Sequence, residues 1–173
     1  MFEYLKGYRV VLVSGPHRSG TTITAKMIAH DTGLRFFPEE AFGHDNVEGW
    51  RALVEATQGG AIQCPTMCYR IGQFGKQDNV AVVMVWRDLA EIQASQAKVG
   101  WMIGGGYDAR YKAELARYGK MGGNLAQLKY RHWENQKPLI LHAYDVQYAS
   151  LSAHPLWIPK AERAGFGPRQ VTR

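Results

Sequence analysis

One short segment of the sequence has the residue types and the spacing of a phosphate-binding loop. It consists of Gly15, Pro16, His17, Arg18, Ser19, Gly20, Thr21 and Thr22. In such a loop the backbone N–H groups point inward, and the N-terminus of the following helix adds its positive dipole end. The two glycines allow a bound anion to approach the backbone closely. The segment therefore predicts a binding site for a phosphate-like group.

Position 21 separates this loop from that of the nucleoside triphosphatases. Their pattern, G-x-x-x-x-G-K-[ST], has a lysine that reaches the β- and γ-phosphates, whereas this sequence has Thr21. Arg18, three positions earlier, can supply the missing cation, because a guanidinium group binds two oxygens of a tetrahedral anion at once. The change weighs against ATP-dependent chemistry, which needs a cation at the transferred phosphoryl group.

A loop of this kind lies between a strand and a helix, and the flanking sequence predicts both. Residues 9–14 form a near-continuous apolar run, which is typical of a strand buried on both faces. Residues 21–30 carry Ile23, Met27 and Ile28 at helical spacing, and Gly33 follows where a helix ends in a left-handed glycine. The sequence thus predicts a strand, a loop and a helix in that order.

Short apolar runs alternate with amphipathic stretches along the rest of the chain. We predict further strands at residues 34–37, 61–64, 79–86 and 138–142, and helices at residues 47–57, 88–98, 108–118 and 124–135. This alternation is typical of βαβ units, so the predicted fold class is α/β, a three-layer P-loop fold with a mostly parallel central sheet flanked by helices. The 173 residues are predicted to form a single domain with an irregular basic tail at residues 151–173.

Two parts of the sequence resemble the sulfotransferases, which transfer a sulfuryl group from PAPS (3′-phosphoadenosine 5′-phosphosulfate). The pattern Pro-x-Arg-Ser-Gly-Thr-Thr after a first strand resembles their phosphosulfate-binding loop. That family binds the 3′-phosphate with an arginine at the end of a later core strand and a serine eight residues further on. Arg87 follows the strand predicted at residues 79–86, and Ser95 lies at the matching separation. The resemblance covers residues 9–98.

The resemblance implies a reaction and a role for each of these residues. PAPS is the expected co-substrate, no metal is expected, and the acceptor is a small molecule with a hydroxyl or amine group. The loop is expected to bind the 5′-phosphosulfate, and Arg87 and Ser95 the 3′-phosphate. Some sulfotransferases have an acidic general base after the second strand; Glu40 is the preferred candidate here and Glu39 the next. His44 is a further candidate.

The sequence departs from the family at two places. The C-terminal signature Arg-Lys-Gly-x-x-Gly is not intact, because residues 163–167 read Arg-Ala-Gly-Phe-Gly. The tryptophan that follows the loop in cytosolic members, where it packs on the adenine, is Ile23 here. Trp101 or Tyr107, beside a run of three glycines, is an alternative aromatic partner for the base or the acceptor.

Composition restricts the partners and the location. The formal net charge of +6 favours an anionic partner, and 46% hydrophobic with 21% charged residues excludes a disordered chain. No apolar run has the length of a membrane span, so the expected location is the cytoplasm, without membrane attachment. Cys64 and Cys68 are expected to be structural thiols in a reducing compartment.

Nucleic acid is not an expected partner, although one predicted helix is basic. That helix carries Lys129, Tyr130, Arg131, His132 and Trp133. Mixed charge on an amphipathic helix usually marks a face in contact with solvent, and no DNA-reading motif accompanies it.

Two other functions fit the same motifs. In an ATP- or GTP-dependent nucleotide or small-molecule kinase, Thr22 binds magnesium and Asp88 acts as the Walker-B carboxylate. In a non-catalytic module, the loop holds an adenine nucleotide as a structural or regulatory ligand. Magnesium dependence separates the first from a sulfotransferase, and binding without turnover identifies the second.

Overall fold

A five-stranded sheet forms the centre of the computed structural model, which describes residues 1–41, 47–99, 102–103, 106–107 and 125–157. The strands are β1 (Val10–Ser14), β2 (Arg35–Phe37), β3 (Gly60–Gln63), β4 (Val80–Trp86) and β7 (Ala143–Gln147). Their order is β2-β3-β1-β4-β7, and every neighbouring pair is parallel. The predicted α/β class with a mostly parallel P-loop sheet is confirmed.

Helices cover both faces of this sheet. They are α1 (Thr21–Thr32), α2 (Val47–Ala56), α3 (Leu89–Lys98) and α4 (Leu125–Gln136). Helix α1 ends as the sequence predicts, because Gly33 takes the left-handed conformation and its N–H bonds to the carbonyl of Ala29. Short 3-10 segments at Glu39–Ala41 and Pro65–Gln73 follow β2 and β3, and another at Tyr148–Ala153 follows β7.

The two central strands are buried on both faces, which is why they are apolar at almost every position. Alternate residues of β1 enter opposite cores. Val10 and Leu12 pack in a cluster with Trp50 of α2 and Trp133 of α4, whereas Val11 packs with α1 and with the 3-10 segments near both ends of the described chain. The burial of β1 and β4 fixes the positions of their carboxyl ends. The loop follows the end of β1, and Arg87 follows the end of β4.

The last strand of the sheet differs from the prediction of residues 138–142, which is wrong. Pro138 instead lies in a 3-10 turn, Lys137–Leu139, and the strand is Ala143–Gln147. Among the strands that the structure describes, β7 is at the sheet edge and pairs with β4 alone. Val146 is its one buried residue. An edge strand needs no continuous apolar run. Within the apolar run at residues 139–141, Ile140 packs against Gly75 instead of pairing in the sheet.

Two further strands form a separate, two-stranded sheet. Strands β5 (Met102–Ile103) and β6 (Gly106–Tyr107) pair antiparallel. The helix predicted at residues 108–118, His44, Trp101 and the sequence from residue 158 onward lie outside the described residues, as does the side chain of Tyr107.

Candidate active site

A cavity of about 400 Å³ lies at the carboxyl edge of the sheet, beside the loop between β1 and α1. Ligand sites of parallel α/β sheets occur at this edge, because loops from several strands converge there. Nine of the twelve predicted site residues line the cavity: His17, Arg18, Gly20, Thr21, Thr22, Glu39, Glu40, Arg87 and Ser95. Residues predicted from distant parts of the sequence therefore share one cavity.

The backbone conformation of the loop depends on three residues that do not line the cavity: Gly15, Pro16 and Ser19. Gly15 has φ +154°, and a Cβ there would lie 2.6 Å from the Oγ of Ser19 and 3.0 Å from the carbonyl of Val85. The N–H of Ser19 bonds to the carbonyl of Pro16 at 3.0 Å, which closes the turn. Among the described residues, the buried hydroxyl of Ser19 has no hydrogen-bond partner. The loop has no space for a side chain at position 15.

The second loop glycine packs against an aromatic ring that sequence reasoning missed. Gly20 has φ +104°, and a Cβ there would lie 2.5 Å from a ring carbon of Tyr148. Tyr148 directly follows β7 and lines the cavity. The guanidinium carbon of Arg87 lies 4.1 Å from the ring centroid, within the range of a cation–π interaction. The ring thus connects the start of α1 to the end of β4.

Arg18 of the loop contacts both residues to which the resemblance assigns the 3′-phosphate, Arg87 and Ser95. The Nε of Arg18 donates to the Oγ of Ser95 at 3.0 Å. The Nη1 of Arg87 donates to the backbone carbonyl of Arg18 at 2.8 Å. Arg87 also donates from Nε to Glu91 at 2.8 Å, so a carboxylate already occupies part of its fork. Arg18 therefore reaches toward the pair predicted to hold the 3′-phosphate.

Electrostatics at this contact favour an anion. The pKa of Arg18 is lowered by partial burial and by the nearby positive charge of Arg87, against a smaller opposing effect of Tyr148. Two guanidinium groups this close repel each other, and a shared anion removes the repulsion. A second cavity of about 130 Å³ lies beside them and is lined by Arg87, Glu91, Ala94, Ser95 and Lys98. Residues 91, 95 and 98 lie on one face of α3, so the helix presents this group toward Arg87.

The two candidate bases have different surroundings. Glu39 is buried, and its carboxylate contacts the Nε2 of His17 at 3.2 Å and accepts from the N–H of Thr66 at 2.8 Å and from the Thr66 hydroxyl. Burial raises its pKa, but the hydrogen bonds from His17 and Thr66 outweigh this effect and lower it to about 2. Such a carboxylate is a weak base. Glu40 is exposed and lines the cavity.

Lys129 is buried, although the residues around it predict a solvated helix face; for this residue the prediction is wrong. Its side chain is fully buried, and Nζ lies 3.1 Å from the Nδ1 of His17 and 3.0 Å from the carbonyl of Pro65. Tyr130 and Trp133 are also buried, whereas Arg131 is exposed. The buried residues of α4 turn this lysine inward, where the ring of His17 and the carbonyl of Pro65 compensate its charge.

Asp88 lies in a position that does not favour its predicted magnesium role. It is exposed, and its Oδ1 accepts from the N–H of Glu91 as the N-cap of α3. It is not among the residues that line the cavity. Gln63 does line the cavity, at the end of β3, and its amide is the polar group that this strand contributes.

One cluster outside the cavity has residue types that bind metals. His30 and His154 each place a ring nitrogen 2.9 Å from the Oδ1 of Asp31. The Nδ1 of His154 accepts from the N–H of Leu156, so Nε2 of the neutral ring carries the proton. That nitrogen donates to Asp31 and has no lone pair for a metal. The cluster is a hydrogen-bonded link between α1 and the segment after β7.

Cys64 and Cys68 are buried free thiols, as predicted. Burial, with smaller effects of neighbouring charges, raises the pKa of Cys64, which opposes thiolate formation.

The comparisons with known proteins give one structural likeness. No family model and no curated protein matches the chain. Among solved structures, the chain is similar to a shikimate kinase from Acinetobacter baumannii in complex with shikimate, with 14% identity and a TM-score of 0.46 over 84% of this chain and 87% of that one. A likeness at this level carries no argument about activity. No helix in the described part of the chain is long and apolar enough to cross a membrane.

Proposed function

We propose that the protein is a sulfotransferase that transfers a sulfuryl group from PAPS to a hydroxyl or amine group of a small molecule. The observation that supports this most is the contact of Arg18 with both Arg87 and Ser95 at the cavity. The sequence separates these residues widely, and the resemblance assigned all three to the same donor. A three-residue cationic and hydroxyl cluster at this edge fits a phosphate of that donor.

The two ends of the donor are assigned to two parts of the cavity. The N–H groups of residues 19–22 and the start of α1 hold the 5′-phosphosulfate, since a helix N-terminus favours an anion. Arg87 and Ser95 hold the 3′-phosphate, with Arg18 between the two ends. The acceptor oxygen or nitrogen then forms a bond to sulfur while the bond between sulfur and the bridging phosphate oxygen breaks. Glu40 takes the acceptor proton, and adenosine 3′,5′-bisphosphate leaves.

A magnesium-dependent kinase is the second candidate, and one observation favours it. Thr22 is exposed and lines the cavity at the loop position whose hydroxyl binds magnesium in nucleoside triphosphatases. Two features oppose it: Thr21 occupies the position of the loop lysine, and Asp88 caps α3. The fold serves either reaction, so the choice depends on these side chains.

Calorimetric titration of the purified protein decides between the candidates. Adenosine 3′,5′-bisphosphate is titrated in the presence of EDTA, and ATP is titrated with and without magnesium. Metal-independent binding of the bisphosphate, tighter than binding of magnesium ATP, is expected. The Arg87→Ala variant is expected to lose this binding, and Arg70→Ala, an exposed arginine on another segment, is the matched control.

Turnover separates the sulfotransferase from a binding module. The protein is incubated with PAPS and a panel of phenols, saccharides and amines, and release of the bisphosphate is followed. Tighter, magnesium-dependent binding of ATP overturns the proposal in favour of a kinase. Bisphosphate binding without turnover for every acceptor class overturns it in favour of the non-catalytic module.

A further inference from the structure

The loop is attached from below by a line of buried polar side chains. It runs from Lys129 of α4 through His17 of the loop to Glu39 after β2, and ends at Thr66 after β3. Lys129, Glu39 and Thr66 are each at most 4% exposed. Three other segments of the chain thus meet under one loop residue, His17.

The chemistry of the groups fixes the direction of these hydrogen bonds. A lysine ammonium group only donates, so the Nδ1 of His17 accepts from Lys129. The proton of the neutral ring is then on Nε2 and donates to the carboxylate of Glu39. The line therefore carries one positive and one negative charge at its ends, with a neutral imidazole between them. Burial strengthens both contacts, because the surroundings screen charge weakly.

His17 directly precedes the one described non-glycine residue with a positive φ. Arg18 has φ +73°, a left-handed conformation that side chains other than glycine rarely adopt. Such a conformation persists when neighbouring contacts hold it. The side chain of His17 is held at both ring nitrogens, and its carbonyl accepts from the Nε2 of Gln96 at 3.4 Å.

We infer that Lys129 and Glu39 are positioning residues for the anion site: through His17 they hold Arg18 and the loop N–H groups in the conformation that binds the 5′ end of the donor. This inference rests on the proposed function. Lys129 also places a positive charge behind the loop that has Thr21 in place of the usual lysine. The larger effect is expected at the 5′ end, because the loop itself holds the 5′ group, whereas Arg87 follows β4 and Ser95 belongs to α3.

Three ligands separate the two ends of the site. Adenosine 3′,5′-bisphosphate is compared with adenosine 3′-monophosphate, which gives the affinity gained from the 5′-phosphate. Comparison with adenosine 5′-monophosphate gives the affinity gained from the 3′-phosphate. In Lys129→Met, which keeps the length of the side chain, we expect the first gain to fall by about tenfold and the second to stay within twofold. A substitution that only destabilises the fold is expected to reduce both affinity gains.

The control and partner variants complete the test. Arg131→Met removes an exposed cation from the same helix and is expected to change neither gain. Glu39→Gln combined with Lys129→Met restores neutrality of the line, and we expect the double variant to be more stable than Lys129→Met alone. Should Lys129→Met fail to fold, His17→Ala and His17→Gln decide, because glutamine offers one acceptor and one donor on a planar group. We expect the affinity gained from the 5′-phosphate to be lost in His17→Ala and partly kept in His17→Gln.

The outcomes distinguish this inference from the proposed function. Unchanged 5′-phosphate gain in the Lys129 variant, or an equal fall of both gains, overturns the inference and leaves the sulfotransferase proposal standing. Absence of bisphosphate binding by the unaltered protein overturns the proposed function. The same variants are then titrated with ATP, and an affinity unchanged by Lys129→Met, or no binding by any protein, overturns the inference as well.

Discussion

Arg87 and Arg18 are joined by a hydrogen bond of 2.8 Å, from the Nη1 of Arg87 to the backbone carbonyl of Arg18, across 69 residues of sequence. The contact ties the end of β4 to the middle of the loop. The same guanidinium contacts Glu91 and the ring of Tyr148. Arg87 is therefore positioned by three contacts before any ligand binds, which reduces the side-chain entropy lost on binding.

The forked shape of Arg87 leads to the first prediction. In Arg87→Lys the positive charge stays, but a lysine cannot bond to the Arg18 carbonyl and a phosphate in the same arrangement. We expect adenosine 3′,5′-bisphosphate to bind about tenfold more weakly, which corresponds to about 1.4 kcal/mol. Calorimetry measures the change, and Arg70→Lys is the control. Equal affinity of Arg87→Lys and the unaltered protein contradicts the expectation that Arg87 bonds to the Arg18 carbonyl and to the phosphate at the same time.

The close approach of Gly20 to Tyr148 leads to a second prediction, on stability. Gly20→Ala introduces a Cβ 2.5 Å from the tyrosine ring at φ +104°. Gly33 has φ +78° with no atom within 4 Å of its virtual Cβ, so Gly33→Ala reports the backbone strain alone. We expect a loss of about 1 kcal/mol for Gly33→Ala and at least about 2 kcal/mol for Gly20→Ala in urea unfolding.

A double variant tests the cause. Tyr148→Ala removes the ring, so adding Gly20→Ala to that background is expected to cost about as much as Gly33→Ala. An undiminished cost in the Tyr148→Ala background shows that the ring is not what excludes a side chain at position 20.

The loop and the central strands were predictable because their signals are local. Gly15 and Gly20 have φ angles of +154° and +104°, which residues with a side chain rarely adopt, and β1 and β4 are buried on both faces. Gly33 ends α1 for the same kind of reason, a left-handed residue at the helix end. In each case the residue type follows from the conformation of that residue and its immediate neighbours.

Lys129 and β7 were not predictable because their environments are made by distant segments. A lysine among charged residues of a helix is usually exposed, and the burial of Lys129 depends on partners from distant segments, among them His17 and Pro65. Strand β7 lies at an edge, so its apolar content is low, and the apolar run before it is no longer a sign of a strand. Tyr148 gave no signal either, since its role depends on where Gly20 lies in the fold.

The lowered pKa of Glu39 leads to a third prediction, on acid stability. Its pKa is about 2 in the folded protein, against 4.5 ordinarily. A carboxylate whose pKa is depressed by folding stabilises the fold above its unfolded pKa, and this stabilisation is lost as the pH falls toward the folded pKa. Between pH 5 and pH 2 we expect the free energy of unfolding of the unaltered protein to fall more than that of Glu39→Gln, by up to about 3 kcal/mol.

Urea unfolding at several pH values measures this difference. Asp31 also has a lowered pKa, since hydrogen bonds from His30, the N–H of Phe2 and other donors outweigh the opposing effect of burial. Its contribution is present in both proteins and cancels in the comparison. A constant stability difference between the unaltered protein and Glu39→Gln from pH 5 to pH 2 rules out a strongly lowered pKa of Glu39.

The last prediction separates the roles of the two adjacent glutamates. Glu40 is exposed at the cavity, so Glu40→Gln removes a proton acceptor without disturbing the buried line. We expect kcat for sulfuryl transfer to fall by about 10²-fold to 10⁴-fold, with the affinity for adenosine 3′,5′-bisphosphate unchanged. Glu39→Gln is expected to weaken bisphosphate binding, because it releases His17 beneath the loop. Full turnover by Glu40→Gln assigns the proton to another group, and a loss of binding in that variant shows that Glu40 contacts the donor.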